Sequence, residues 1–170
     1  MTGSDLTYPE VGATAAEPLP NGYRHVRRQE PLGVGHDRWV RVADGLRDMM
    51  VHRLAGIRIR REDASPRVGG EFASGLGFAR WRLWAPCRFV WVTSTAGRYG
   101  YGFGTVAGHP ECGEEAMEVT VDEAGAVLFT VRAFSRPAVW YARLGGPIAT
   151  AVQDLVTNRY VAAARRLADG

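Results

Sequence analysis

The sequence predicts an α+β fold in which a curved antiparallel β-sheet wraps around one long C-terminal helix. Three observations carry this. From Leu54 to Phe134 short strand-like runs follow one another with turn residues between them and no helical period. After Pro137 the apolar period becomes helical and stays so to the end of the chain. A sheet of that size has one face to cover, and only the last helix is long enough to cover it.

Taken in order, residues 1–20 read as an extended arm, because Pro9, Pro18 and Pro20 block regular structure. Residues 21–170 read as one domain. Gly22 to Gln29 is a first strand, closed by Pro31-Leu32-Gly33. Trp39, Val42, Ala43, Leu46, Met49 and Met50 recur at helical spacing, which predicts a helix from Asp37 to His52. The strands that follow are Leu54–Arg61, Arg67–Ala73, Leu76–Leu83, Arg88–Thr93, Arg98–Ala107, Glu115–Asp122 and Ala126–Phe134. Asp63-Ala64-Ser65-Pro66, Thr95-Ala96-Gly97, Gly108-His109-Pro110 and Glu123-Ala124-Gly125 punctuate them. Links this short force mostly antiparallel pairing. About 20 residues follow Pro147, roughly 30 Å of helix. Its stripe places Ile148, Val152, Leu155 and Val156 among the most buried side chains. This order of elements is that of helix-grip folds; the alternative on pattern alone is an up-and-down barrel with a terminal helix.

Composition excludes several classes. With 170 residues, 46% hydrophobic and 23% charged, the chain is neither disordered nor fibrous. No apolar run approaches the roughly 20 residues of a membrane span, and the first ten residues show no signal-peptide pattern, so a cytoplasmic location is expected. Cys87 and Cys112 then read as free thiols. The net charge of +3 comes from 21 basic residues, all of them Arg and widely scattered. Exclusion of Lys fits a GC-rich codon bias better than a phosphate-binding surface, so neither a nucleic-acid nor a membrane partner is expected.

Two stretches could carry chemistry. In Arg98-Tyr99-Gly100-Tyr101-Gly102-Phe103-Gly104-Thr105, alternation puts the aromatics on one face and three glycines on the other. The aromatics either line a cavity or pack as plain core while the glycines bend the sheet. No helix opens after these glycines, as a dinucleotide loop requires. The second stretch, Gly108-His109-Pro110-Glu111-Cys112-Gly113-Glu114-Glu115, gathers an imidazole, a thiol and three carboxylates in a turn. His109, Glu111 and Glu114 are the candidates for acid–base work there; the alternative is a turn whose carboxylates pair with Arg132 or Arg136. A metal is not expected, since no second Cys/His pair exists, and no cofactor motif appears. Tyr99, Tyr101, Phe103, Trp91 and Arg132 are the candidate ligand contacts, for a small apolar or aromatic molecule.

Tyr8-Pro9-Glu10-Val11-Gly12-Ala13-Thr14, Gly108-His109-Pro110-Glu111 with Gly113-Glu114-Glu115, Ala133-Phe134-Ser135-Arg136-Pro137 and the closing Arg159-Tyr160 helix together resemble the uncharacterised family DUF1990, also called UPF0548. The resemblance runs from about Tyr8 to Arg165 and carries no established activity with it. It implies the fold of the START and birch-pollen-allergen superfamily, whose members bind, transport or transform hydrophobic small molecules. Three functions remain open at this level: a binding module, an enzyme of cyclase, dehydratase or hydrolase type in the same cavity, and a structural or interaction domain with a solid core.

Overall fold

The structure, a computed structural model, describes residues 5–77, 83–138 and 146–170, with side chains in the last segment from Thr150 onward. The expected strand Leu76–Leu83 therefore lies mostly outside the described residues, as does the side chain of Ile148. Seven strands are observed: β1 (Arg24–Val34), β2 (Arg58–Arg61), β3 (Glu71–Leu76), β4 (Leu83–Thr95), β5 (Arg98–Thr105), β6 (Glu111–Val121) and β7 (Ala126–Pro137). Their order in the sheet is β1-β7-β6-β5-β4-β3-β2, antiparallel throughout. β1 and β2 are open edges, so the fold is the helix-wrapped sheet and not the closed barrel.

Edge position explains why β1 runs through Pro31, where the sequence pattern stops it at Gln29: a proline on an edge forfeits no second ladder bond. The expected helix Asp37–His52 is two helices, α1 (His36–Arg47) and α2 (Met50–Leu54), with Met49 left-handed between them at φ 58°. The final helix, α3 (Gly146–Asp169), meets α1 closely. A Cβ on Gly45 would stand 2.5 Å from Leu167, which is why a helix-weakening glycine sits in mid-helix there.

Each sheet face carries its own apolar cluster. On the inner face Phe72, Phe89, Tyr101, Met117, Phe129 and Val131 pack under α1, α2 and the C-terminal half of α3. On the outer face Tyr8, Leu19, Cys112 and Phe134 pack with Leu6, Ala13 and Tyr23, so the N-terminal arm lies against the sheet. Cys87 belongs to the inner cluster and Cys112 to the outer one, and both thiols are free.

The helix stripe needs one correction. Val152 and Leu155 are 38% and 49% exposed, while Tyr160, Val161, Ala163, Ala164 and Ala168 are buried. The C-terminal half of α3 packs on α1 and α2, whereas Gln153 and Asp154 in its N-terminal half are tied to the sheet by polar contacts with Arg24 and Ser135.

The glycines of β5 serve the outer face. A Cβ on Gly102 would meet the Trp91 indole nitrogen at 2.1 Å, and one on Gly104 would meet the Tyr8 hydroxyl at 2.0 Å. Two aromatic side chains thus approach the sheet closely where no side chain intervenes. Gly102→Ala is expected to push the indole off Thr14, to which it donates a 2.9 Å hydrogen bond. The expected loss is about 2 kcal/mol by urea unfolding, and a loss under about half a kcal/mol would contradict this packing.

Candidate functional site

Between the sheet and the N-terminal half of α3 lies a cavity of about 330 Å³. Ser74 and Leu76 come from β3, Leu83, Ala85 and Cys87 from β4, Phe103 from β5, and Glu111 and Glu115 from β6. His109 and Pro110 contribute from the turn before β6, and Val152, Gln153, Val156 and Tyr160 from α3. An adjoining recess of about 80 Å³ shares His109, Glu111, Glu115 and Gln153 and reaches Thr105 and Ser135. The cavity lies where α3 bridges the sheet over the small side chains of Ser74, Ala85 and Cys87. Leu76, Leu83 and Val152 line it and are also exposed, which gives the mouth an apolar rim.

The polar groups cluster at one end. Glu115 sits on the inner face opposite Phe103, and Tyr160 of α3 lines the same space from across the gap between sheet and helix. Burial, reinforced by the charge of Glu111, pushes its carboxyl up from about 4.5 to about 8. The His109 ring nitrogen Nδ1 accepts the Glu111 backbone N–H at 3.0 Å. Burial lowers this imidazole to about 4, so it is neutral at pH 7. Burial likewise raises the Cys87 thiol, which leaves it protonated and a poor nucleophile.

The segment from His109 to Glu115 is not the loop that the sequence suggests. β6 starts at Glu111, paired on one side with β7, which continues to Pro137, and on the other with β5. Being strand, it sends alternate side chains to opposite faces. His109, Glu111 and Glu115 line the cavity, whereas the Glu114 carboxylate points to the arm. It accepts the Tyr8 hydroxyl at 2.7 Å, the Gly12 N–H at 2.7 Å, the Thr14 N–H at 2.9 Å and the Thr14 hydroxyl. Glu114 is therefore a buried latch for the arm and not an acid–base group of the cavity.

The aromatic strand is divided. Phe103 is on the cavity wall, but Tyr101 is fully buried among Phe89, Phe103 and His52, and Tyr99 packs under the Arg47 guanidinium. Both tyrosines, expected on the wall, are core. Trp91 and Arg132 are on the outer face. A bulge between Phe89 and Trp91 breaks the alternation of β4, so Phe89 faces in and Trp91 faces out over Gly102. Arg132 alternates with core Val131 and lies 3.7 Å from Glu118, lining an outer pocket of about 410 Å³ with Glu17, Arg27 and Arg28. Glu115, Tyr160, Cys87 and Gln153 were absent from the sequence-derived site. No group of three or more metal-ligating side chains gathers among the described residues.

A family model described as "Domain of unknown function (DUF1990)" matches residues 7–163. The chain belongs to this family. A UPF0548 protein of Deinococcus radiodurans is 27% identical over 164 residues, covering 91% of this chain and 83% of that protein. A UPF0548 protein of Arabidopsis thaliana is 41% identical over 49 residues, 29% of this chain and 24% of its own length. Among solved structures, the Zhui aromatase/cyclase from Streptomyces sp. R1128 superposes with a TM-score of 0.56 at 16% identity, covering 86% of this chain and 94% of that one. Ara h 8.0201 does so with a TM-score of 0.55 at 11% identity, covering 88% and 100%. These likenesses place the DUF1990 chain in the helix-grip fold. No helix among the described residues is long and apolar enough to cross a membrane.

Proposed function

We propose that this DUF1990 protein binds a small, largely apolar molecule in the cavity between its sheet and α3. The observation that supports it is an apolar-walled space of about 330 Å³ with its polar groups gathered at one end. Small-molecule sites are built this way and span about 300–1,000 Å³, so the occupant is compact. The exposed apolar rim at Leu76, Leu83 and Val152 gives such a molecule a route in.

Nile red titration tests the reading. The wild-type protein is expected to bind the dye, and Val156→Trp, which fills the space from α3, to weaken binding by roughly tenfold or more. Val156 is only partly buried, so the melting temperature should stay within a few degrees of wild type. Equal binding by the variant would move the dye site elsewhere and sink the proposal.

A second reading, an enzyme using the same cavity, has one observation in its favour. Glu115 and His109 both open into it, with their ionisation displaced in opposite directions by burial. That is how acid–base partners are tuned in active sites, and structural networks do the same. A substrate turned over by wild type and not by Glu115→Gln would support this reading over simple binding.

A further inference from the structure

The polar end of the cavity restricts which molecule fits, provided that the cavity is a binding site as proposed above. Glu115 on β6 and Tyr160 on α3 meet there. Glu111 stands four residues earlier on the same face of β6, and His109 precedes it. Cys87 comes from β4, and behind the pair the Tyr101 hydroxyl of β5 is buried without a hydrogen-bond partner among the described residues. Among the described residues two carboxyl groups line this space and no arginine does. The one described side chain there able to gain a positive charge, His109, is held neutral by burial. An anionic ligand would therefore enter a low-dielectric space facing two carboxyl groups and a neutral imidazole. A neutral oxygen would instead find donors, because a protonated carboxyl and a phenol each offer one O–H.

We propose that Glu115 and Tyr160 form a proton-donating clamp that selects a neutral, largely apolar ligand carrying a carbonyl or hydroxyl oxygen and rejects carboxylates and phosphates. The clamp is set at neutral pH because burial and Glu111 keep the Glu115 carboxyl protonated up to about 8. Once ionised it can only accept, and a ketone oxygen then meets an acceptor where it met a donor.

The test uses 2-acetylnaphthalene and 2-naphthoate, which share one apolar body and differ in the charge of the polar end. At about pH 6 the ketone is expected to bind at least roughly tenfold more tightly than the carboxylate, a difference of the size expected for a lost charge-opposed contact. Between about pH 6 and about pH 9.5 ketone affinity should fall roughly tenfold as Glu115 ionises. Glu115→Gln, whose amide cannot ionise, should lose that pH dependence. Carboxylate binding equal to or tighter than ketone binding would overturn the clamp, as would a pH-dependent fall that persists in Glu115→Gln. Nile red separates this from the underlying reading. If the dye binds and the two naphthalenes do not differ, the clamp alone fails; if the dye does not bind, the binding cavity fails with it.

Discussion

Glu114→Ala is expected to destabilise the protein by about 3–5 kcal/mol, the range found when one partner of a buried charged contact is removed. The carboxylate is 3% exposed and is the shared acceptor for the Tyr8 hydroxyl, the Gly12 and Thr14 N–H groups and the Thr14 hydroxyl. Alanine leaves these donors facing a void, and each buried donor without a partner costs about 1–3 kcal/mol. The loss is not confined to hydrogen bonds. Tyr8 packs edge-on against Phe134, and the Trp91 indole donates to Thr14, so the arm and the outer cluster loosen together. Urea unfolding measures the first effect. Limited proteolysis measures the second, since residues 5–20 should become cleavable while the rest of the fold resists. Glu114→Gln should fall between the two, because its amide oxygen still accepts but its N–H₂ opposes donors. Because Glu114 faces away from the cavity wall on which Glu115 stands, Nile red binding should survive in whatever fraction of the variant remains folded. A loss under about 1 kcal/mol with the arm still protected would show that the latch contributes little.

The same pair of glutamates shows what could be read from the sequence. The antiparallel sheet and final helix were legible because they rest on period and punctuation, which are local. Which of two adjacent carboxylates enters the cavity depends on register. Even so, a signal was present: Glu115 shares parity with Met117 and Val119, both core, whereas Glu114 shares it with Glu118. Treating the segment as a loop hid that parity. Trp91 could not have been placed this way, because a bulge at Val90 reverses the alternation and bulges leave no reliable mark in a run such as Phe89-Val90-Trp91-Val92. Val152 and Leu155 were misjudged for a third reason. A helical stripe says which side of a helix is apolar, but not whether solid core or a cavity lies beneath it.

Stability is expected to pass through a maximum near pH 6.5, with His52 shaping the acid side. His52 is fully buried against Phe72, Tyr101, Phe103 and Tyr160, and neither ring nitrogen has a hydrogen-bond partner among the described residues. Burial lowers it from 6.5 to about 3, and His109 falls to about 4. Below pH 6.5 the unfolded chain therefore protonates both imidazoles while the folded chain does not. The unfolded state then binds more protons, so stability falls on acidification, by about 1.4 kcal/mol per pH unit for each histidine. Glu115 has the opposite sign: from about 4.5 to about 8 the folded chain holds a proton that the unfolded chain has released, so stability falls as pH rises. Between pH 4.5 and 6.5 two histidines oppose one carboxyl and the net slope is that of about one histidine; above pH 6.5 Glu115 acts alone. His52→Leu should stabilise the protein at pH 7 by about 1–3 kcal/mol, since it replaces two unpartnered polar atoms with hydrocarbon of similar volume. At pH 5 the gain should grow by a further ~2 kcal/mol, because the unfolded state has lost its extra proton. Urea denaturation of wild type, His52→Leu and Glu115→Gln from about pH 4.5 to about pH 8.5 separates the limbs, since the leucine variant flattens the acid side and the glutamine variant the alkaline side. If His52→Leu is destabilising at pH 7, or keeps the wild-type acid slope, then His52 is not the neutral, unpartnered core residue that its surroundings require, and its ring nitrogens find partners in solution.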